Sequence, residues 1–178
     1  MYLIILLIIL AILFFVVIFL ATQLFYIIFY GYAPFISTKS QIIEKVLAEI
    51  NLQPGNRVYE LGCGHAGFLR AICDKFPEVE VIGIENAPWP YFLASIQAAM
   101  SNKKIKIIRK NLFKVNLSGA DLIYCYLNVE MMERLKAKFN KECKSEAVII
   151  SYQFPLHGLN TTKVIQSKKD KIYFYKII

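Results

Sequence analysis

The turn ELGCGHAGF, residues 60–68, is the part of the sequence whose residue types and spacing are best suited to chemistry. Gly62, Gly64 and Gly67 have the G-x-G-x-x-G spacing of a turn that approaches the pyrophosphate of a dinucleotide. Glu60 lies two positions before the first glycine and gives a second interpretation, because an acidic residue followed by G-x-G is typical of turns that hold S-adenosylmethionine. The two interpretations imply different ligands, so residues outside the turn must decide between them.

Three observations favour S-adenosylmethionine. The carboxylate of Glu60 would repel an anionic pyrophosphate but would attract the sulfonium and ammonium groups of S-adenosylmethionine. The charged part of the chain, residues 39–178, leaves little room for a dinucleotide domain and a separate substrate domain. Asn111 ends a predicted strand, where its amide can pair with an adenine edge. Glu85, 21 residues after Gly64, suits a ribose in either ligand and does not discriminate.

Strands and helices alternate along the charged part of the chain. Short apolar runs predict strands at residues 57–62, 78–85, 104–111, 120–127 and 145–154, with two more strands in the tail 161–178. Amphipathic spacing predicts helices at residues 37–50, 68–76, 88–100 and 129–142. Thr38 and Gln41 have capping-box spacing, so we expect Thr38 to cap the first helix. The pattern predicts an α/β fold, a Rossmann-like parallel sheet with helices on both faces.

Residues 1–38 contain no charged side chain, and between Leu3 and Leu20 only Ala11 is not Leu, Ile, Val or Phe. Such a run favours insertion into a bilayer by roughly 5–10 kcal/mol. It lacks the polar stripe of a core helix and the basic start and cleavage site of a signal peptide. The sequence therefore predicts one N-terminal transmembrane helix, with an anchor at 1–31, a linker and cofactor-covering helix at 32–51, and a binding domain at 52–178.

The residues that flank the apolar run predict its orientation. Tyr26, Tyr30 and Tyr32 suit an aromatic belt where the helix leaves the bilayer. Lys39 and Lys45 follow, so the positive-inside rule predicts that the domain lies on the cytoplasmic, reducing side. The four cysteines agree, because no C-x-x-C pair or dense disulfide pattern is present.

The chain resembles the membrane-anchored class I methyltransferases that include the lysine methyltransferases of the ATP synthase c-subunit and of the adenine nucleotide translocase. The matches run from APFIST, residues 33–38, to FPLHG, residues 154–158, and the most specific block is NLFKVNLSGADLIYCYL, residues 111–127. The resemblance implies a methyltransferase that uses S-adenosylmethionine and acts on lysine.

The resemblance also assigns roles to residues. It implies that Glu60, Gly62 and Gly64 hold the methionine half of the cofactor and that Glu85 holds the ribose. The remaining predicted cofactor-binding residues are Cys63 in the glycine turn, Asn86 after Glu85, Asn111 and Leu112 facing the adenine, and Thr38 in the covering segment 34–38.

Three positions depart from the family pattern. Ala66 stands where the family usually has a third glycine, and His65 stands where it has an acidic or small polar residue. Asn86 stands where an apolar residue often stacks on the adenine. These departures bear on the affinity for the cofactor and keep open a catalytically silent member that serves as a membrane-bound scaffold.

Methyl transfer needs alignment and exclusion of water more than acid–base groups, so we expect no metal site. Tyr124 and Tyr126 lie on one face near the end of the predicted fourth strand, where they could stack against a cation. Asn128, just beyond, could accept a hydrogen bond from an acceptor amine. These three are the predicted catalytic residues.

The methyl acceptor is inferred from the membrane anchor and not from Tyr124, Tyr126 and Asn128. We expect a protein at the same membrane, since an anchor raises effective concentration. Methylation of a lipid or quinone-like molecule is an alternative, and a small NAD-binding protein is another that Glu60 disfavours. The chain carries a net charge of +8 but no aromatic–basic motif, so we expect no nucleic acid partner. The oligomeric state is left open.

Overall fold

The structure is a computed structural model and describes residues 1–30, 36–167 and 169–178. The chain divides into two compact units, Met1–Pro34 and Phe35–Ile178. The first contains helix α1, Tyr2–Tyr30, in which Tyr2–Thr22 is long and apolar enough to cross a membrane, with a mean hydropathy of 3.8. Tyr32 and the side chains of Tyr26 and Tyr30 lie outside the described part of the chain, so the aromatic belt stays a prediction.

The second unit contains the alternating elements that the sequence predicts. Its helices are α2 Ser40–Glu49, α3 Gly67–Lys75, α4 Pro88–Met100 and α5 Val129–Glu142. Its strands are β1 Arg57–Leu61, β2 Glu80–Glu85, β3 Ile105–Arg109, β4 Leu122–Cys125, β5 Val148–Tyr152, β6 Thr161–Ser167 and β7 Asp170–Lys176. A single 3-10 turn, Leu112–Lys114, lies between β3 and β4.

The seven strands form one sheet in the order β3-β2-β1-β4-β5-β7-β6. Strands β1 to β5 are parallel, whereas β7 runs antiparallel to both β5 and β6. The order reverses between β1 and β4, which is the switch point where open α/β sheets bind ligands beyond the carboxyl ends of their strands. Glu60 of β1 pairs there with Gly83 of β2 and Tyr124 of β4.

Helices cover both faces of the sheet. Buried residues of α2, α3 and α4 belong to one hydrophobic cluster, which also contains Leu122 and Tyr124 of β4. Ile123 and Cys125 point to the other face, because side chains alternate along a strand. Helix α5 lies outside that cluster and buries four residues, Met131, Met132, Leu135 and Phe139. The predicted Rossmann-like fold is confirmed.

Two local predictions are wrong. Helix α2 begins at Ser40 with Lys39 as its N-cap and no side-chain cap, so Thr38 is not the capping residue. The hydroxyl of Thr38 instead lies 3.0 Å from the phenol oxygen of Tyr124, a partner that local spacing cannot reveal. Strand β4 ends at Cys125, so Tyr126 lies just beyond the strand.

Candidate functional site

The glycine turn that follows β1 has left-handed backbone at three positions. Gly62 has φ +75°, Gly64 +54° and Ala66 +60°. A Cβ on Gly62 would also lie 2.8 Å from a methyl group of Leu127, so this position needs glycine for space as well as for its dihedral angle. Ala66 adopts the same conformation with a side chain that is fully buried. Gly67, by contrast, is the first residue of α3.

Glu60 is the buried acid at the end of β1. Its side chain is only 6% exposed, and within the described part of the chain its Oε2 atom has no hydrogen-bond partner. Burial, reinforced by the nearby Glu85, raises the pKa of Glu60 well above its ordinary value. An unpartnered carboxylate oxygen in a protein interior is rare, because it forfeits the hydrogen bonds that water would give. A bound cation or N–H donor would give the Oε2 atom of Glu60 the partner that it lacks.

Glu85 ties the glycine turn to the start of α4. One carboxylate oxygen accepts the N–H of Gly64 at 3.1 Å, and the other accepts those of Asn86 and Ala87 at 2.8 and 2.9 Å. A carboxylate has about four acceptor sites, so these three bonds leave capacity for one further donor such as a ribose hydroxyl. Burial raises the pKa of Glu85.

The third strand ends in a turn that Asn111 caps. Its Oδ1 atom accepts the N–H of Phe113 at 2.9 Å, so the amide oxygen holds the turn and the amide nitrogen is the group left for an adenine edge. Leu112, 7% exposed, begins that turn. The adenine-facing role predicted for both residues stays a prediction.

Cys63, within the glycine turn, directs its side chain towards Gly83 of β2. Its N–H donates to the carbonyl of Ile84 at 3.0 Å, and its sulfur lies 2.8 Å from the position that a Cβ on Gly83 would occupy. Cys63 is 4% exposed, and burial raises the pKa of its thiol well above the ordinary value. These contacts show Cys63 supporting the turn from the sheet side.

Of the predicted catalytic residues, Tyr124 is the most deeply placed. It is fully buried and stacks on Phe68 with ring centroids 4.1 Å apart. Burial raises the pKa of Tyr124 well above its ordinary value, so the residue is a neutral phenol and not a base. Its hydroxyl meets Thr38, which brings a predicted cofactor-binding residue and a predicted catalytic residue together.

The other two predicted catalytic residues have structural contacts of their own. The ring of Tyr126 lies 4.4 Å from that of Tyr152, at the adjacent ends of β4 and β5. Asn128 caps α5, since its Oδ1 atom accepts the N–H of Met131 at 2.9 Å. The oxygen proposed to meet an acceptor amine is therefore already engaged, and a role for Asn128 in catalysis stays a prediction.

Three consecutive residues before α2, which we call the strap (residues 37–39), each contact a different part of this edge of the sheet. The contacts are Ser37 Oγ to His65 Nε2 at 2.5 Å, Thr38 Oγ1 to Tyr124 Oη at 3.0 Å, and Lys39 Nζ to both carboxylate oxygens of Asp170 at 3.0 Å. They join the strap to the glycine turn, to β4 and to the start of β7. The described part of the predicted covering segment, residues 36–38, therefore crosses the carboxyl edge of the sheet.

Sequence reasoning missed Asp170. Its carboxylate accepts hydrogen bonds from the Tyr152 hydroxyl at 2.6 Å and from the Gln153 amide at 2.8 Å, besides the Lys39 ammonium. These donors, Tyr152 first, lower the pKa of Asp170. In the sequence Asp170 is one acidic residue in a basic hairpin, 131 positions from Lys39, so only the order of the strands reveals the contact.

The residues at this edge fit S-adenosylmethionine. The unpartnered oxygen of Glu60 matches a cationic end, the remaining acceptor capacity of Glu85 matches a ribose, and the amide nitrogen of Asn111 matches an adenine edge. The left-handed turn at Gly62 and Gly64 presents backbone without side chains between the first two groups.

Comparisons with known proteins agree with a site for S-adenosylmethionine, because the proteins that this chain resembles are methyltransferases. The family description "ANTKMT methyltransferase domain" matches residues 60–163. A protein-lysine N-methyltransferase of Saccharolobus islandicus is 25% identical over 152 residues, which is 82% of this chain and 94% of that protein. The adenine nucleotide translocase lysine N-methyltransferase of Mus musculus is 26% identical over 148 residues, which is 81% of this chain and 63% of the mouse protein.

Solved structures share the fold. An RNA methyltransferase from Salinibacter ruber, bound to S-adenosyl-L-homocysteine, superposes with a TM-score of 0.75 at 17% identity and covers 80% of this chain and 94% of its own. A SAM-dependent methyltransferase from Aquifex aeolicus gives 0.63 at 15% identity and covers 76% and 89%. These likenesses show the architecture and do not bear on the acceptor.

Proposed function

The chain belongs to the family of the ANTKMT methyltransferase domain, and we propose that it methylates lysine side chains of a protein held at the membrane to which its own N-terminal helix is anchored. That it is a class I methyltransferase with S-adenosylmethionine as cofactor follows from the family and the fold. The lysine acceptor, the membrane and the roles of individual residues are the proposed part.

The observation that carries the roles proposed for the cofactor-binding residues is the buried, unpartnered carboxylate oxygen of Glu60 at the switch point. When bound, S-adenosylmethionine supplies a methyl group on a cationic sulfonium. Glu60 and the glycine turn would bind its charged end, and Glu85 would orient it through the ribose. The strap would exclude water, which together with the alignment of donor and acceptor accounts for most of the rate enhancement of an in-line transfer.

A lysine acceptor must lose its proton before it can attack, since an ammonium has no lone pair. Tyr124 does not take that proton, because its pKa is raised and its hydroxyl is bonded to Thr38. Desolvation of the amine beside the half-buried ring of Tyr126, which packs on the buried ring of Tyr152, is the mechanism that this edge of the sheet supports, since burial lowers the pKa of an amine. The names of the two relatives support lysine as the acceptor.

Membrane anchoring rests on the composition and length of α1. The first basic residues after it, Lys39 and Lys45, favour a domain on the cytoplasmic side. An anchored enzyme meets acceptors in the same membrane at high effective concentration. The boundaries proposed from the sequence are an anchor at 1–31, a linker and cofactor-covering helix at 32–51 and a binding domain at 52–178, and they stay a prediction.

The test is a transfer assay with the full chain reconstituted in vesicles, mixed with membrane proteins and S-adenosylmethionine labelled on its methyl group. We expect label in protein, released as methylated lysine after hydrolysis, and none with the Glu60→Gln variant. Label in the lipid extract would replace the lysine proposal with a lipid acceptor. Binding of S-adenosylhomocysteine without any transfer would support the scaffold alternative.

A further inference from the structure

Helix α4 carries large apolar side chains on the face that points away from the sheet. We call them the apolar stripe: Trp89, Phe92, Ile96 and Met100, with exposed fractions of 46, 52, 39 and 78%. Their spacing of three or four residues places them along one side of the helix. Pro90, Ala94 and Ala98 form the buried side, and α4 contains no charged residue.

The stripe lies within a strongly basic part of the chain. Residues 86–120 contain no Asp or Glu but six Lys and Arg: Lys103, Lys104, Lys106, Arg109, Lys110 and Lys114. The segment therefore holds six of the chain's net eight positive charges. Lys103 pairs with Asp74, whereas Lys104, Arg109 and Lys110 are exposed beside or just after β3, the strand on which α4 packs most closely.

This combination fits the surface of an anionic bilayer better than a protein partner. Helices that lie in the membrane interface bury Trp, Phe and Leu at the acyl boundary and place Lys and Arg among anionic headgroups. The Trp89 and Phe92 rings, with centroids 5.9 Å apart, form one end of such a surface. A second copy of the chain is disfavoured, because joining two stripes would also bring two basic segments together.

We propose that the apolar stripe inserts into the interface of an anionic membrane while Lys104, Arg109 and Lys110 contact its headgroups. Helix α4 starts three residues after Glu85, so docking through this face would orient the cofactor site relative to the bilayer surface. The inference rests on the membrane anchoring proposed above and adds a second contact, which fixes the orientation of the domain and favours lysines close to the membrane plane.

Trp89 is the single Trp of the chain and reports directly on this contact. The full chain is reconstituted in vesicles of phosphatidylcholine alone or with phosphatidylserine, each with or without lipid brominated on its acyl chains. Flotation of the vesicles measures anchoring, and quenching of Trp89 emission measures insertion of the stripe. We expect the chain to float with both vesicles and to lose roughly half of its Trp89 emission only with the anionic one, an effect that high salt reverses.

Two pairs of variants separate the contribution of the basic residues from that of the apolar stripe. The double variant Lys104→Glu, Arg109→Glu should abolish the quenching, whereas Lys141→Glu, Lys171→Glu, which reverses two exposed charges elsewhere, should not. Phe92→Asp should also abolish it, whereas Val164→Asp, at an exposed apolar position on β6, should not. Retained binding of S-adenosylhomocysteine shows that each variant is folded.

The outcomes distinguish the two proposals. A chain that floats while Trp89 stays unquenched in anionic vesicles overturns the docking surface and leaves the anchor intact. Quenching that is insensitive to salt and to charge reversal overturns the role of the headgroups. A chain that fails to float overturns both.

Discussion

The hydroxyl of Thr38 lies 3.0 Å from the phenol oxygen of Tyr124, a residue that is fully buried at the end of the sheet's central strands. The contact joins residues 86 positions apart and makes the strap part of the site's wall. Because Tyr124 has no access to water, its hydroxyl depends on Thr38 for this hydrogen bond.

The first prediction concerns this pair. Thr38→Val keeps the shape but leaves the buried phenol without this partner, which should cost about 1–3 kcal/mol of unfolding free energy. Tyr124→Phe should cost less, since the Thr38 hydroxyl is half-buried and can turn to water. Thermal unfolding of the full chain in detergent measures each variant. The double variant should be less destabilised than the sum of the two, and strict additivity would contradict the coupling.

The second prediction concerns Glu60, where stability and binding should move in opposite directions. Burial raises its pKa, so the folded ligand-free chain binds a proton to higher pH than the unfolded chain. The unfolding free energy therefore falls as pH rises from the ordinary glutamate value of about 4.3 towards the raised pKa. Glu60→Gln removes that loss, so the ligand-free variant should be more stable than the parent above the ordinary glutamate pKa, with a difference that grows as pH rises.

Melting temperatures at pH 5 and pH 8, with and without S-adenosylhomocysteine and S-adenosylmethionine, check the behaviour of Glu60. The variant should melt higher than the parent without ligand, and S-adenosylmethionine should stabilise it less. Glu44→Gln, at an exposed position on α2, is the matched control and should change neither property. A Glu60→Gln variant that melts lower at pH 8 would show that the carboxylate is already compensated in the ligand-free protein.

The third prediction concerns the three N–H groups held by Glu85. In Glu85→Gln one end of the side chain becomes a donor, which must face a backbone N–H. The turn around Gly64 should loosen, and the dissociation constant for S-adenosylhomocysteine should rise about 10–100-fold, or about 1.4–2.8 kcal/mol. Isothermal titration calorimetry measures it. Glu78→Gln, exposed before the same strand, should bind like the parent, and equal affinity of both variants would rule out the assigned role.

The fourth prediction tests how closely α3 packs on the sheet. A Cβ on Gly83 would lie 2.7 Å from Leu69 Cδ1, 2.8 Å from Cys63 Sγ and 2.9 Å from Ile107 Cδ1. These are packed side chains, so Gly83→Ala should destabilise the protein by about 1–3 kcal/mol. Gly119→Ala meets only the exposed end of the long Arg57 side chain, at 2.9 Å, and should be nearly neutral. Similar melting temperatures for both variants would show that the side chains around Gly83 can move to accommodate the added methyl group.

The sequence predicted the order of the helices and strands because each segment has the spacing of apolar residues that is typical of its element. It located Glu60 and Glu85 correctly at strand ends, since parallel strands bring their carboxyl ends to one edge, whereas Asn111 lies two residues beyond the end of β3. It could not show that Asn111 caps a 3-10 turn and Asn128 caps α5, because a cap depends on where a helix begins and boundaries follow tertiary contacts.

Polar contacts between residues far apart in the sequence could not be predicted from it. Thr38 has the local signature of a helix cap, yet its partner is in β4. Asp170 has no local signature, and its contact with Lys39 depends on β7 pairing with β5. Ala66 illustrates the converse. The resemblance marked it as a departure from glycine, and the structure gives the reason why glycine suits the position, a φ of +60°.

The position of β3 has a consequence for how this chain stays apart from other copies of itself. As an outermost strand of the sheet, β3 presents backbone donors and acceptors on one side, where another strand could add. Lys104, Lys106 and Arg109 put charge along that margin, a device by which natural sheets resist edge-to-edge aggregation. Neutral substitutions there would weaken this protection, whereas reversed charges preserve the repulsion between like edges. Variants of this strand should therefore exchange one charge for the other and leave none of them uncharged.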